Sequence, residues 1–181
     1  MNNTEISFFC ATDDGPLKIK SINAISGDTL AGARSLKIVS QNQRPQQSTW
    51  QLAGLSSHIR YTKKDEVQTL RSVQTGLGRK EATVASLIPI KKSEAWWALA
   101  QDERRAIFEE QSQHISYSLK YLPEIARKLY HSRDLGEPFD FLTWFEFAPE
   151  HEEKFNQLLK FLRASKEWSF VTREVDVRLS L

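Results

Sequence analysis

The sequence predicts an α+β fold, with the element order β-α-β-β-α-β over residues 82–181, the ferredoxin-like pattern. Three observations predict it. Residues 82–88 form a nearly unbroken apolar run of strand length. Residues 125–131 and 139–147 each alternate with period two, on either side of a Gly-Pro-containing turn. The last forty residues pair one amphipathic helix with one alternating strand.

Taken in order, the run at 82–88 reads as a strand covered on both faces, with Pro89 at its edge or end. Ser93 has the chemistry of an N-cap, and a helix follows through Glu94, Ala95, Trp96 and Trp97. After a break near Asp102, helix resumes at Glu103 and is expected to end near His114. In the strand at 125–131, Ile125, Arg127 and Leu129 share one face and Ala126, Lys128 and Tyr130 the other, so Arg127 is the odd member of an apolar row. Phe139, Phe141, Thr143, Phe145 and Phe147 are expected to share one face of the next strand. Pro149 and the acids beside it open a helix whose apolar stripe is Phe155, Leu158, Leu159 and Leu162, with Lys160, Arg163 and Lys166 matching the dipole at its end. Val171, Val175, Val177, Leu179 and Leu181 then alternate with polar residues as a half-buried strand.

The first half reads as strand and turn, with strands at 5–12, 17–25, 36–40, 49–55 and 58–62 and turns at 14–16 and 27–28. Helix signals are confined to 29–34 and 65–73. Residues 75–78, Thr-Gly-Leu-Gly, mark a junction, so the expected division is a reduced N-terminal unit, 1–78, and a second unit, 79–181.

Composition narrows the function classes. A net charge of +2, from 25 basic and 23 acidic residues with no basic block among aromatics, gives no bulk attraction to nucleic acid or an anionic membrane. The lone Cys10 excludes an internal disulfide, a zinc ribbon and a cysteine-ligated cluster. It shares a strand face with Ile6 and Phe8, as a small core residue does. With no signal-like leader and no long apolar run, a cytoplasmic location is expected.

Lys92, Trp96, Trp97, His114 and Arg127 fall within the second unit. Singly, each has a structural reading: a solvated lysine, core tryptophans, a packing histidine, an arginine paired with a buried carboxylate such as Glu146. In this order, with Ile88-Pro-x-x-Lys92, Leu129, Thr143-x-Phe145 and Glu167, they resemble the chlorite dismutase family of the haem-binding dimeric α+β barrel superfamily. The short first half is similar to that of its short, dimeric members. The resemblance implies two fused ferredoxin-like units, a homodimer, and haem b with His114 as proximal iron ligand and Glu167 accepting a hydrogen bond from its other ring nitrogen. It implies Lys92 and Trp96 at the haem propionates, Trp97 at the proximal side or subunit interface, and Ile88 in the pocket. Arg127 is implied as the distal catalytic cation, flanked by Leu129, Thr143 and Phe145 and positioned by Gln74. The implied activity decomposes chlorite to chloride and dioxygen through ferryl haem and transient hypochlorite. Two relatives in kind stay open: a coproheme decarboxylase, which places a tyrosine where Ile88 stands and an uncharged residue where Arg127 stands, and a non-enzymatic haem carrier or sensor on the same fold. A dimeric interaction protein without haem is the third alternative.

Overall fold

A computed structural model describes residues 5–56 and 61–181. Eight antiparallel strands close into a barrel: β1 (Ile6–Thr12), β2 (Leu17–Ser26), β3 (Ser35–Val39), β4 (Trp50–Ser56), β5 (Val84–Lys92), β6 (Ala126–His131), β7 (Phe141–Phe147) and β8 (Val171–Ser180). Around it the order is β4-β1-β3-β2 and then β8-β5-β7-β6, so the first and second halves of the chain each contribute one arc with the same internal strand order, fourth-first-third-second. One seam is long, running from Lys18 opposite Ser180 to Ser26 opposite Glu174. The other pairs Leu55 and Ser56 with His131 and Tyr130.

Period-two patterning explains both layers. Phe9, Leu36, Leu52, Leu87, Tyr130, Trp144, Val177 and Leu179 point into the barrel and form its core. Their strand neighbours Ile88 and Phe145 point outward and pack under α5 (Glu152–Arg163), whose Phe155, Leu158, Leu159 and Leu162 are all buried. Among the described residues the first arc carries no such helix. Its outward Phe8, Cys10 and Ala53 cluster with Ile6 and Val39, and the Arg44 guanidinium lies 4.4 Å from the Phe8 ring centroid. Gly15 lets the chain cross β3 on its way from β1 to β2, because a Cβ there would sit 2.6 Å from the Leu36 carbonyl oxygen.

The structure corrects several expectations. Residues 29–34 form no helix: Arg173 donates to the carbonyls of Asp28 (2.8 Å) and Thr29 (3.1 Å), pinning that segment in extended form against β8. The helix expected at 65–73 is present as α1 (Lys64–Val73). Of the strand expected at 58–62, residues 58–60 lie outside the described residues and Tyr61 has φ of 60°, which no strand accommodates. Pro89 lies inside β5, and the pairing with β8 skips from Leu87 to Ile90, where the missing N–H costs nothing. Phe139 belongs to the barrel core, apart from the outward row of β7. The final strand is covered on both faces, because Glu174 and Asp176 are buried beneath α5 against Arg163. Among the described residues no helix is long and apolar enough to cross a membrane.

Candidate active site

The outer face of the second arc and the helices over it enclose an apolar cavity, lined on the strand side by Ile88, Ile90, Leu129 and Phe145. Two walls of opposite character face it. Helices α2 (Glu94–Ala98), α4 (His114–Ser118) and α5 build one with Phe108 and the end of β5, while α3 (Gln101–Arg105) contributes no lining residue, and β6 and β7 build the other.

The helical wall is organised by one carboxylate. Glu167 is 5% exposed and bridges two partners: Lys92 Nζ donates to its Oε1 at 2.7 Å, and His114 Nδ1 lies 2.7 Å from Oε2. Its backbone N–H is held by Ser112 Oγ at 2.8 Å. Burial pushes the Glu167 carboxyl up, but the facing His114 and Lys92 outweigh it and bring it down to about 2. The imidazole is flanked by Phe108, stacked at 4.3 Å between centroids, and by Trp168 at 6.4 Å. With Nδ1 committed to Glu167, the second ring nitrogen remains for a ligand from the cavity.

His114 starts a helix and does not end one. Gln113 adopts a left-handed φ of 53°, and Glu109, in a π-helical turn over Ala106–Gln111, caps the new helix by accepting the N–H groups of Ile115 (2.5 Å) and Ser116 (3.0 Å). Nothing in the residue types at 106–113 signals a π turn or a positive φ.

On the β6–β7 wall, Arg127, Leu129, Phe141, Thr143 and Phe145 face the cavity, as their alternation requires. Arg127 is its only ionisable member among the described lining residues. Burial lowers its pKa from the ordinary arginine value, and its Nε is enclosed without a hydrogen-bond partner. Glu146, the carboxylate that a structural reading pairs with it, instead accepts from Trp144 Nε1 (2.8 Å) and the Gly78 N–H (2.6 Å). Gln74 reaches β6, but its Nε2 donates to the Arg127 carbonyl at 2.9 Å and holds backbone, not guanidinium.

Ser93 Oγ accepts the Trp96 N–H at 3.3 Å, and the short helix it starts brings Trp96 into the cavity wall. Trp96 is 1% exposed and its indole N–H has no partner. Trp97 lies outside the lining: its Nε1 donates to Asp140 Oδ2 at 3.2 Å and its ring stacks on Phe141 at 5.9 Å. Lys92 is engaged by Glu167 with its Nζ 4.6 Å from the Trp96 ring centroid, so its charge is directed at the protein's own carboxylate and not at propionates. Ile88 lines the floor with Ile90.

Sequence reasoning missed Tyr61, Phe108 and Trp168, which also line the cavity. Tyr61 packs edge-on against Trp96 at 6.0 Å and accepts a hydrogen bond from Arg104 at 3.0 Å. Only Trp168 carried a signal, its position next to Glu167.

An apolar cavity with a carboxylate-bound imidazole on one wall and a guanidinium without a carboxylate partner among the described residues on the other could hold a flat apolar group capable of imidazole ligation and admit an anion beside it. Comparison with known proteins makes this particular. A family model described as chlorite dismutase matches residues 31–180. Over 100 residues the chain is 33% identical to the chlorite dismutase of Ideonella dechloratans, a match covering 54% of this chain and about a third (34%) of that longer protein. Its structure superposes on a dimeric chlorite dismutase from Nitrobacter winogradskyi with a TM-score of 0.91 and 55% identity, covering 96% of this chain and 98% of that one. A chlorite dismutase from Candidatus Nitrospira defluvii in complex with imidazole shares the fold, with a TM-score of 0.67 or below among its forms and 0.65 for this one, at 22% identity over 99% and 93% of the two chains. The chain belongs to the chlorite dismutase family.

Proposed function

We propose that this protein decomposes chlorite to chloride and dioxygen with haem b held in the cavity. The observation that carries the reading is the division of charge across one cavity: a histidine tied to Glu167 on one wall, and on the other a half-buried arginine with an enclosed Nε and no carboxylate partner among the described residues. The residues fit the group. The lining is apolar where Ile88, Leu129 and Phe145 would meet a macrocycle, one imidazole nitrogen is left for iron, and the unpartnered Trp96 N–H is a donor for a carboxylate such as a propionate.

When bound, haem supplies the redox-active iron at which oxygen is taken from the anion. The chain's residues do the rest. Glu167 accepts the His114 Nδ1 proton, which fixes the tautomer and strengthens the imidazole as a donor. Lys92 holds Glu167 in place and balances its charge. Arg127 draws in chlorite and retains chlorine oxyanions by charge-assisted hydrogen bonds, while Leu129, Thr143 and Phe145 exclude water around it. Chlorite is already an anion at neutral pH, and its conversion to chloride and dioxygen neither takes up nor releases a proton. A β6–β7 wall with a cation and no general base suits that stoichiometry.

We also read each barrel arc as a ferredoxin-like unit, 1–78 and 79–181, which the repeated strand order supports. The Nitrobacter relative, described as dimeric, supports a homodimer. Buried, unpaired Cys10 supports a reducing compartment and hence the cytoplasm.

Haem titration of the purified protein with an oxygen electrode tests the reading. A Soret band and oxygen release on adding chlorite are expected, with both lost in His114→Ala. Conversion of coproheme to haem b by peroxide, or haem binding without oxygen release, would replace it with one of the rival activities.

A further inference from the structure

We propose that Trp168 is a redox-active side chain that gives one electron to the bound cofactor and one proton to Glu174, an activity that rests on the haem reading above.

The chain has five tryptophans, and their surroundings separate them. Trp50 bonds a backbone carbonyl. Trp96 lines the cavity, but its N–H has no acceptor, so oxidation would leave a buried cation with nowhere to send its proton. Trp97 and Trp144 donate to carboxylates but stand outside the cavity, and Trp97 has the guanidinium carbons of Arg133 and Arg104 at 4.2 and 5.4 Å from its ring. Trp168 alone combines three features. It lines the cavity, its ring lies 6.4 Å from the His114 imidazole at an interplanar angle of 25°, and its Nε1 donates to Glu174 Oε2 at 2.7 Å.

Glu174 is fully buried and belongs to no other part of the mechanism. Arg163 binds it through Nε at 2.8 Å and also binds Asp176 at 3.2 Å. Asp176 is held in turn by Ser86 at 3.1 Å and Arg178 at 2.7 Å. If Glu174 takes a proton, Arg163 therefore keeps an anionic partner, and no guanidinium is stranded in the interior. Lys92 Nζ, 5.3 Å from the Trp168 ring centroid, disfavours a positive charge left on that ring. The two neighbours together favour loss of electron and proton in concert.

The step balances as follows. A peroxide or peracid leaves the loaded protein two oxidising equivalents above rest. The Trp168 ring gives one electron to the cofactor, the Nε1–H bond breaks, and the proton passes to Glu174 Oε2, leaving a neutral indolyl radical. A one-electron donor from solution, a phenol for instance, gives an electron to the indolyl ring and its own proton to water, the proton on Glu174 returns to Nε1, and a second donor molecule removes the remaining oxidising equivalent by the same route. The cavity thereby gains a route for one-electron oxidation of reductants too large to enter it.

The test uses the haem-loaded protein labelled with ring-deuterated tryptophan, mixed with peracetic acid and frozen for electron paramagnetic resonance. A radical signal narrowed by the label is expected, absent in Trp168→Phe and retained in Trp97→Phe. Glu174→Gln, which keeps an acceptor oxygen but cannot take the proton, is expected to lose the signal while keeping the Soret band; should it fail to fold, Trp168→Phe decides alone. A Soret band without a tryptophan radical, or a radical that persists in Trp168→Phe, overturns this inference and leaves the haem reading intact. Absence of any Soret band overturns both.

Discussion

On the helical wall of the cavity, three ionisable side chains satisfy one another: Lys92 and His114 each meet an oxygen of Glu167 at 2.7 Å. On the β6–β7 wall a single guanidinium stands among Leu129, Phe141, Thr143 and Phe145, with no carboxylate partner among the described residues. Both walls carry charge withdrawn from solvent, fully on the first and partly on the second, yet only the first is balanced among the described residues. The difference separates a charge kept for structure from one kept for a visitor. A triad paired internally stabilises the fold and orients an imidazole, whereas a half-buried cation without a counter-charge costs stability until an anion arrives.

The largest test breaks the balanced wall. Glu167→Gln leaves Lys92, 3% exposed, without its counter-charge, and such a loss costs about 3–5 kcal/mol, to be read from urea unfolding of the cofactor-free protein. The same charge is accessible by acid. A folded-state pKa of about 2 lies below the unfolded carboxyl value, so the contribution of Glu167 is present above that unfolded value and is lost as pH falls towards 2. It amounts to roughly 3 kcal/mol at neutral pH. Parent protein is expected to lose stability over that acid window, and Glu167→Gln to lose less. Equal acid sensitivity in the two would sink the pairing argument.

The opposite wall predicts the opposite sign. Arg127→Met removes a half-buried cation whose Nε is enclosed without a partner, and the cofactor-free protein is expected to gain up to about 1 kcal/mol in unfolding free energy. Chlorite turnover is expected to fall about 10- to 100-fold, the equivalent of one charge-assisted hydrogen bond lost at the transition state. Escape of hypochlorite should also shorten the life of the haem, with methionine as a trap restoring it. A variant less stable than the parent would show that Arg127 has a structural partner after all.

How far these walls could be read from sequence differs for the same physical reason. The β6–β7 wall was legible because strands have a two-residue period: alternation put Arg127 with Leu129 and Thr143 with Phe145, the family pattern joined the two rows, and all four line the cavity. The helical wall was legible only through the family pattern. His114 is set by the left-handed Gln113 and by Glu109 capping across a π turn, and neither residue type advertises that geometry. Lys92 and Glu167 are 75 residues apart, and their meeting depends on β5 and the 3-10 turn at Glu167–Phe170 arriving together. Tyr61 and Phe108 escaped notice because each enters the cavity from an irregular backbone. The burial of Glu174 and Asp176 is not legible in the half-buried pattern of the last strand for a related reason: alternation marks two faces of a strand but not that α5 covers the second.

The smallest predicted effect sharpens what holds the lone cation in place. Gln74 is exposed at the end of α1, and its amide donates to the Arg127 carbonyl at 2.9 Å, so it fixes the strand that carries the guanidinium without touching the guanidinium. A neutral hydrogen bond of this kind contributes about 0.5–1.5 kcal/mol, and solvent exposure places this one at the lower end. Gln74→Ala is therefore expected to lower stability by a few tenths of a kcal/mol and chlorite turnover by less than about threefold, well short of the loss in Arg127→Met. Combining the two substitutions should add nothing to the turnover lost in Arg127→Met alone, since a residue that acts through Arg127 has no effect once Arg127 is gone. If Gln74→Ala were instead as damaging to turnover as Arg127→Met, with stability unchanged, its amide would have to leave the carbonyl and bond the guanidinium when the anion is bound. The β6–β7 wall would then carry its partner in a side chain that moves, and the contrast between a balanced and an unbalanced wall would hold only for the resting protein.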